Sequence, residues 1–293
     1  MSGVCDGRVA IVTGAGSGLG RCYAQALAEA GAAVVANDIN EATANQVVEE
    51  IIAAGGRAIA NNSDITDFAD ASNIVDCAIN NFGQLDVVVN NAGVCRDRMF
   101  ASMSEQEWDQ VVSVHLKGHF CISRHAVDYW RARAKRGEKN EARIINTSSG
   151  AGLNGSIGQS NYAAAKAGIA ALTLNQAAEL FRYGITANAL APSARTGMTE
   201  EVFADMMKKP EDGSFDHFAP ENVAPLVVWL ASSASGIVNG RVFEVEGGQI
   251  SLADGWRSTQ SIDKGARWEP RELTAVVEQL LESNPAPQPV YGA

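Results

Sequence analysis

The chain has 293 residues, 46% of them hydrophobic, and a formal net charge of −11. It is long enough to bury a full core, and it holds no apolar run of about 18 residues or more that would span a bilayer. The acidic balance disfavours nucleic acid and anionic membranes as partners, so an anionic substrate would need a local basic patch. The cysteines (Cys5, Cys22, Cys77, Cys95 and Cys121) are odd in number, scattered and without a C-x-x-C pair. They suggest neither a disulfide framework nor a zinc site and fit a reducing compartment. The N-terminal residues lack the pattern of a signal peptide, and Val290-Tyr291-Gly292-Ala293 is not a peroxisomal address, so a cytoplasmic location is expected.

In chain order, the first apolar run is strand 8–13, and it empties into Thr13-Gly14-Ala15-Gly16-Ser17-Gly18-Leu19-Gly20 before helix 18–30. Glycines at 14, 18 and 20 allow a sharp turn, a close approach to a pyrophosphate and tight packing of helix on strand. The helix N-terminus offers unpaired N–H groups to an anion. Strand 33–37 ends at Asp38, about twenty residues beyond the turn, as the dinucleotide fingerprint asks. A carboxylate there can accept both adenosine ribose hydroxyls and would repel a 2′-phosphate, which favours NAD over NADP. Alternatively, Asp38 caps the helix that follows.

Helix 40–54, strand 57–61 and helix 67–82 come next. Strand 85–90 then finishes in Asn90-Asn91-Ala92-Gly93, where amides can hold the loop and glycine leaves room for a flat ring. A long helix, 104–134, leads through a polar segment, Arg131 to Arg143, read as a surface loop, into strand 142–148. That strand delivers Ser148 and Ser149 at its end. Helix 160–182 carries Tyr162 and Lys166 four positions apart, which places a phenol and an ammonium on one face. A positive charge held beside Tyr162 would lower its pKa from about 10, with each unit worth roughly 1.4 kcal/mol, and make it an acid/base. Strand 184–190, helix 221–232 and strand 241–245 complete the alternation, the pattern of a parallel sheet wrapped by helices. There is no internal repeat. Residues 1–255 read as a single domain and 256–293 as a C-terminal extension, helical over 270–283 and then proline-rich, for packing or subunit contact rather than catalysis.

Together, Thr13-Gly14-x-x-x-Gly18-x-Gly20, Asn90-Asn91-Ala92-Gly93, Ser149 and Tyr162-x-x-x-Lys166 resemble the short-chain dehydrogenase/reductase family over roughly residues 8 to 250. The resemblance implies an α/β fold, a Rossmann-type three-layer sandwich with a seven-stranded parallel sheet. It also implies hydride transfer between a carbonyl and an alcohol. In its terms Tyr162 is the acid/base, Ser149 hydrogen-bonds the substrate oxygen, and Lys166 holds the nicotinamide ribose and lowers the tyrosine pKa. The implied cofactor contacts are Gly14, Ser17, Gly18, Leu19, Gly20, Asp38, Asp64, Ile65, Asn91, Ala92, Gly93, Tyr162, Lys166, Pro192 and Thr196, with no metal.

Two positions depart from the family pattern. His115, in Val114-His115-Leu116-Lys117-Gly118, occupies the register of an asparagine that keeps a relay water. It is either a fourth catalytic residue in a proton relay or a neutral packed ring. Pro192-Ser193-Ala194-Arg195-Thr196 replaces the usual Pro-Gly and threonine. These stretches, with Gly158-Gln159-Ser160-Asn161-Tyr162 and Val242-Phe243-Glu244-Val245, resemble the (3R)-hydroxyacyl-CoA dehydrogenase subgroup of multifunctional enzyme type 2, also called 17β-hydroxysteroid dehydrogenase type 4. This implies NAD-dependent oxidation of a 3-hydroxyacyl-CoA in fatty-acid or steroid side-chain β-oxidation, by a freestanding domain.

A CoA substrate would need cations, for which Arg96, Arg98, Lys117, Arg195, Lys208 and Lys209 are the candidates, and Met198 to Phe218 reads as the substrate lid. Three alternatives remain: a hydroxysteroid dehydrogenase, a 3-oxoacyl-carrier-protein reductase, and, from another class, a non-catalytic NAD-binding regulator. A homodimer or homotetramer is expected, with no nucleic acid partner and no membrane insertion.

Overall fold

The computed structural model describes residues 3–197, 207–253, 255–256, 258–284 and 288–292. Its strands are β1 (Val9–Thr13), β2 (Ala33–Asn37), β3 (Arg57–Asn61), β4 (Val87–Asn90), β5 (Ala142–Thr147), β6 (Ile185–Ser193), β7 (Val242–Glu246) and β8 (Gln249–Ala253). The helices are α1 (Gly18–Glu29), α2 (Glu41–Ala53), α3 (Asp70–Phe82), α4 (Glu105–Val112), α5 (Gly118–Lys135), α6 (Gly150–Asn154), α7 (Ser160–Leu180), α8 (Ala224–Ala231) and α9 (Leu273–Glu282).

They form one sheet in the order β3-β2-β1-β4-β5-β6-β7-β8. β1, β2, β4 and β5 are buried along their whole length, which is why each reads as a continuous apolar run. One apolar cluster packs α1, α2 and α8 on one face of the sheet, and a second packs α3 and α5 on the other. The three layers of a Rossmann-type sandwich are therefore present.

The sheet has one strand more than expected. Seven strands are parallel, and β8 adds antiparallel to β7 across the Gly247-Gly248 turn. This edge strand is exposed along most of its length, so it offers no buried apolar run to read.

The long predicted helix is interrupted as well. Between α4 and α5, Ser113–Lys117 forms a single π-helical turn, with the Gly118 N–H donating to the Ser113 carbonyl, and His115 sits in it. Such bulges recur at functional sites because they re-aim a side chain without ending the helix. The polar segment after Arg131 is only partly loop. α5 continues to Lys135, and Arg143 lies buried in β5, donating to the Ser232 carbonyl and the Ser235 hydroxyl. Its charge alone had suggested solvent, but hydrogen bonding satisfies the guanidinium inside.

Strand order reverses between β1 and β4, and the chain ends at this switch point are cross-tied. The Asn91 side chain donates to the Thr13 carbonyl at 3.0 Å, and the Thr13 hydroxyl accepts the Asn91 and Ala92 N–H groups. Deeper in, Asn90 donates to Ser123 and to Asn146, and Asn146 donates to Thr173 and Gln176. This buried network joins β4 and β5 to α5 and α7; His115 lies in the turn just before α5, Ser149 just beyond β5, and Tyr162 on α7. Among the described residues Asn90 Oδ1 is the atom of this network left without a partner, and the remaining bonds tie β4 to β5 in one register.

Candidate active site

The C-terminal ends of β1, β2, β4, β5, β6 and β7 border a cleft of about 760 Å³. Its nucleotide-facing end is built by the glycine turn. Gly14 and Gly18 hold left-handed φ angles of 64° and 50°. Ser17 precedes α1 in an extended conformation and makes no side-chain cap, so the first N–H groups of α1 face the cleft without a side-chain acceptor. Gly20 does not line the cleft. A Cβ there would lie 2.0 Å from the Gly14 carbonyl oxygen, so its role is the close packing of α1 on the turn.

Asp38 points into the same end. Its carboxylate accepts the Gly16 N–H at 2.9 Å and the Asn40 N–H at 3.0 Å, while the side chain of Asn40, not Asp38, caps α2. The reading of Asp38 as a helix cap is thereby replaced by one in which backbone donors aim it at the cleft.

At the other end, Ser149 begins α6, with its Oγ accepting the Ala151 N–H at 3.2 Å. Tyr162, in the first turn of α7, shares the cleft wall with Ser149 and meets the His115 ring edge-on, with centroids 5.1 Å apart at 88°. Lys166 is buried. Its Nζ donates to the Thr147 carbonyl at 2.6 Å and lies 5.4 Å from the centre of the Tyr162 ring. The four predicted catalytic side chains therefore converge on one wall.

The electrostatics differ from the sequence expectation. Burial pushes the Tyr162 phenol up to about 12, and hydrogen bonding from Ser149 only partly offsets it. The same desolvation brings Lys166 down to about 7. Both charged forms lose hydration together, so near neutral pH the ammonium that was to acidify the phenol is itself only partly charged.

His115 is neutral, its pKa pushed down to about 3 by burial first and by Lys166 second. Its Nε2 lies 2.8 Å from the Val94 carbonyl oxygen and 3.0 Å from the Val94 nitrogen, donating to one or accepting from the other according to tautomer. Its Nδ1 is buried and finds no protein partner among the described residues.

A glycine turn feeding a helix N-terminus, an aimed acid on the second strand and a Ser/Tyr/Lys wall form the arrangement that the motifs predicted. A profile of the short chain dehydrogenases matches residues 8–207. The chain belongs to the short chain dehydrogenase family. It is accordingly an oxidoreductase that acts on a CH–OH group, in a family that uses nicotinamide dinucleotides.

A crystal structure of a short chain dehydrogenase from Mycobacterium avium is 54% identical, with a TM-score of 0.91 over 99% of this chain and 100% of that one. Hydroxyacyl-CoA dehydrogenase ChsB1 of Mycobacterium tuberculosis is 48% identical over 94% of this chain and 89% of its own length. Peroxisomal multifunctional enzyme type 2 of Mus musculus is 42% identical over 94% of this chain, which spans 34% of that longer protein.

Within this dehydrogenase site, Leu19, Asn91, Ala92, Gly93, Pro192 and Thr196 all line the cleft. The Thr196 side chain approaches to 3.6 Å from where a Cβ on Gly18 would sit, which brings the segment after β6 over the glycine turn. Asp64 and Ile65 lie in the loop after β3, outside the cleft wall. There Asp64 accepts the Thr66 N–H and Ile65 packs beside Gly118.

Of the lid, 198–206 lie outside the described residues, whereas Met207 and Phe218 line the cleft and Phe215 is exposed. Arg195 does not offer its charge to a ligand. It pairs with Asp216 and donates to the Met207 carbonyl, bracing the lid's base. Arg98 is paired with Glu107, Arg96 donates to Gln110, and Lys208 lies beside Glu211. Lys117 is exposed and outside the cleft wall.

Three contributors had no sequence signal. Cys95 lines the cleft, its thiol pushed up to about 11 by burial and by Asp97. His119, one turn beyond His115, is a buried neutral ring whose Nε2 accepts the Thr147 N–H. Tyr291 reaches the cleft from the C-terminal end.

Gly93 links the cofactor loop to the catalytic wall, because a Cβ on it would lie 2.3 Å from His115 Cε1. Gly93→Ala is expected to displace the imidazole and, through the edge-on contact, Tyr162. Turnover should drop at least about tenfold while circular dichroism stays native, the order of loss that misplaced groups cause. Full activity in that variant would mean that His115 can move without consequence.

Proposed function

We propose that this chain oxidises the secondary alcohol of a (3R)-3-hydroxyacyl-CoA to the 3-oxo thioester with NAD as acceptor. The observation that carries the cofactor choice is Asp38, aimed into the nucleotide end of the cleft by two backbone N–H groups. The acyl-CoA class rests on the likeness to hydroxyacyl-CoA dehydrogenase ChsB1 along most of both chains.

The glycine turn fits the dinucleotide. Gly14, Ser17, Gly18 and Leu19 would hold the pyrophosphate, Asp38 the adenosine ribose, and Asn91, Ala92, Gly93, Pro192 and Thr196 the nicotinamide side. When bound, the nicotinamide would supply the hydride acceptor. The chain supplies the rest. The Ser149 hydroxyl orients the substrate oxygen and Tyr162 takes its proton, with Lys166 fixed by the Thr147 carbonyl in position to hold the ribose and favour the phenolate. The supports for Ser149, Tyr162 and Lys166 as catalytic residues are their convergence and their match to the family motif.

His115 takes part as a neutral ring. With its pKa near 3, it can pass a proton only by exchanging tautomers, so its charge does not change over the working pH range. Asp64 and Ile65 would reach the cofactor only at its adenine edge.

Five free thiols accord with work in a reducing compartment such as the cytoplasm, and none of the described helices is long and apolar enough to cross a membrane. The exposed apolar residues Ile250 and Leu252 on the edge strand accord with a homo-oligomer. Residues up to 255 would act as the catalytic domain.

The test is a steady-state panel of 3-hydroxyacyl-CoA thioesters and hydroxysteroids with NAD and NADP, run on the parent protein and Asp38→Ala. NAD should be preferred at least about a hundredfold, and the variant should lose most of that preference. Equal use of both cofactors by the parent protein would overturn the NAD assignment. Turnover of hydroxysteroids but of no thioester would overturn the substrate class.

A further inference from the structure

The C-terminal extension does not simply trail over the surface. Its last described residues return to the catalytic end of the sheet and add a short strand-like bridge to the loop between α6 and α7. Tyr291 pairs in parallel with Ser156. The Ile157 N–H donates to the Tyr291 carbonyl at 3.0 Å, and the Tyr291 N–H donates to the Gly155 carbonyl at 3.3 Å. Beside them, Val290 packs on Gly155 and Gly292 adopts a left-handed φ of 80° against Ile157.

The same loop is gripped from its other side. The Arg98 N–H donates to the Gly158 carbonyl at 2.7 Å, and Gln159 donates to the Asp97 carboxylate at 2.9 Å. Residues 155–159 are thus held between the segment after β4 and the chain's own end.

This docking puts an aromatic ring where the chemistry is. A Cβ on Gly150, the residue after Ser149, would lie 2.7 Å from the Tyr291 hydroxyl and 3.0 Å from its Cε2, so only glycine leaves space for that ring. Tyr291 lines the same cleft as Ser149 and Tyr162 and keeps 47% of its surface exposed. Met207 and Phe218 line this cleft as well and add apolar surface to it. A half-exposed ring held by backbone bonds beside the residue that orients the substrate oxygen is a wall awaiting a ligand. Aromatic rings supply large contact area at little entropic cost.

We propose that Tyr291 is a substrate-binding residue, contributed by the C-terminal extension, whose ring packs on the alcohol substrate next to the reacting carbon. This rests on the reading of the cleft as the site of alcohol oxidation and deepens it by naming the chain end as part of the substrate wall. The ring face, not the hydroxyl, carries the contact, so Tyr291→Phe keeps it and Tyr291→Ala loses it. The main-chain bridge to Ser156 survives in both.

The experiment compares parent, Tyr291→Phe, Tyr291→Ala and a chain ending at residue 287, using the best alcohol substrate among 3-hydroxyacyl-CoA thioesters and hydroxysteroids. In Tyr291→Ala and in the shortened chain, KM for the alcohol should rise about tenfold, the order of one lost apolar contact. KM for NAD should stay within twofold, and Tyr291→Phe should restore the parent value. Unchanged KM for the alcohol in Tyr291→Ala overturns the proposal. So does an equal rise in KM for both substrates, which would mark a merely structural effect.

A substrate-independent readout accompanies it. Hydrogen exchange of peptides covering 150–159 should accelerate in the shortened chain, because the Ile157 amide loses its acceptor. Unchanged exchange overturns the docking itself. If hydroxysteroids are turned over and thioesters are not, the acyl-CoA reading falls while the ratios above still judge Tyr291. If no alcohol is turned over, the catalytic reading falls and takes the substrate-wall role with it, whatever the exchange shows.

Discussion

Tyr162→Phe is expected to lower kcat by three orders of magnitude or more while leaving dinucleotide binding within about twofold of the parent protein, in line with the loss of a positioned acid/base. Only an oxygen is removed. The ring stays edge-on to His115 and remains on the first turn of α7, so the wall of the cleft keeps its shape. Burial raises the pKa of the phenol to about 12, so the substitution removes no stabilising charge. Thermal stability should therefore change little or rise slightly. Pre-steady-state NADH formation and dinucleotide binding by fluorescence titration separate the two quantities. Turnover retained within tenfold would exclude this phenol as the acid/base, and with it the chemistry assigned to the cleft. Retained binding with lost turnover would also exclude a role confined to dinucleotide binding.

The motif-bearing strand ends were legible because parallel, doubly covered strands have to be continuous apolar runs, and those runs end where the chain turns polar. β1, β2, β4 and β5 follow this rule, and Asp38, Asn91 and Ser149 are the polar residues reached at or just beyond their ends. What escaped the sequence depends on tertiary context. β8 pairs along an exposed edge, so its only signal was Gly247-Gly248 between two alternating stretches, a hairpin turn that could have been read. The π turn around His115 has no compositional mark, because it is set by what packs against the helix. Arg143 carried a charge that argued for solvent, and only the Ser232 and Ser235 acceptors, about ninety residues on, explain its burial. Tyr291 belongs to the same class. Nothing in a proline-rich tail says that its last residues bond to the loop before α7. Of the cations named for CoA, Arg98 and Arg195 pair with Glu107 and Asp216, nine and twenty-one residues on, and neither pairing is marked in the local sequence.

Lys166→Met is expected to cost activity and add stability, and the balance should depend on pH. The ammonium is buried, with the Thr147 carbonyl as its hydrogen-bond acceptor, and desolvation lowers its pKa from 10.5 to about 7. Between those values the unfolded chain binds a proton that the folded chain does not, so folding stability contributed by this group rises with pH from about 7 to about 10.5. Below pH 7 the penalty is fully present. It is at most on the order of 5 kcal/mol, offset by about 1 kcal/mol for the hydrogen bond to Thr147. Methionine fills a similar volume without charge. The variant should accordingly melt several degrees above the parent protein at pH 6, with the gap closing as pH approaches 10.5. Turnover at pH 7 should fall by roughly a hundredfold or more if Lys166 holds the ribose and favours the phenolate as proposed. Melting curves from pH 6 to 10, taken without dinucleotide, measure the first effect and steady-state rates the second. A gap that stays constant with pH would show that Lys166 keeps its ordinary pKa in the fold. The same desolvation that makes this lysine costly brings its change of charge near neutrality, so stability is given up at the position where the proposed chemistry would use a tunable cation.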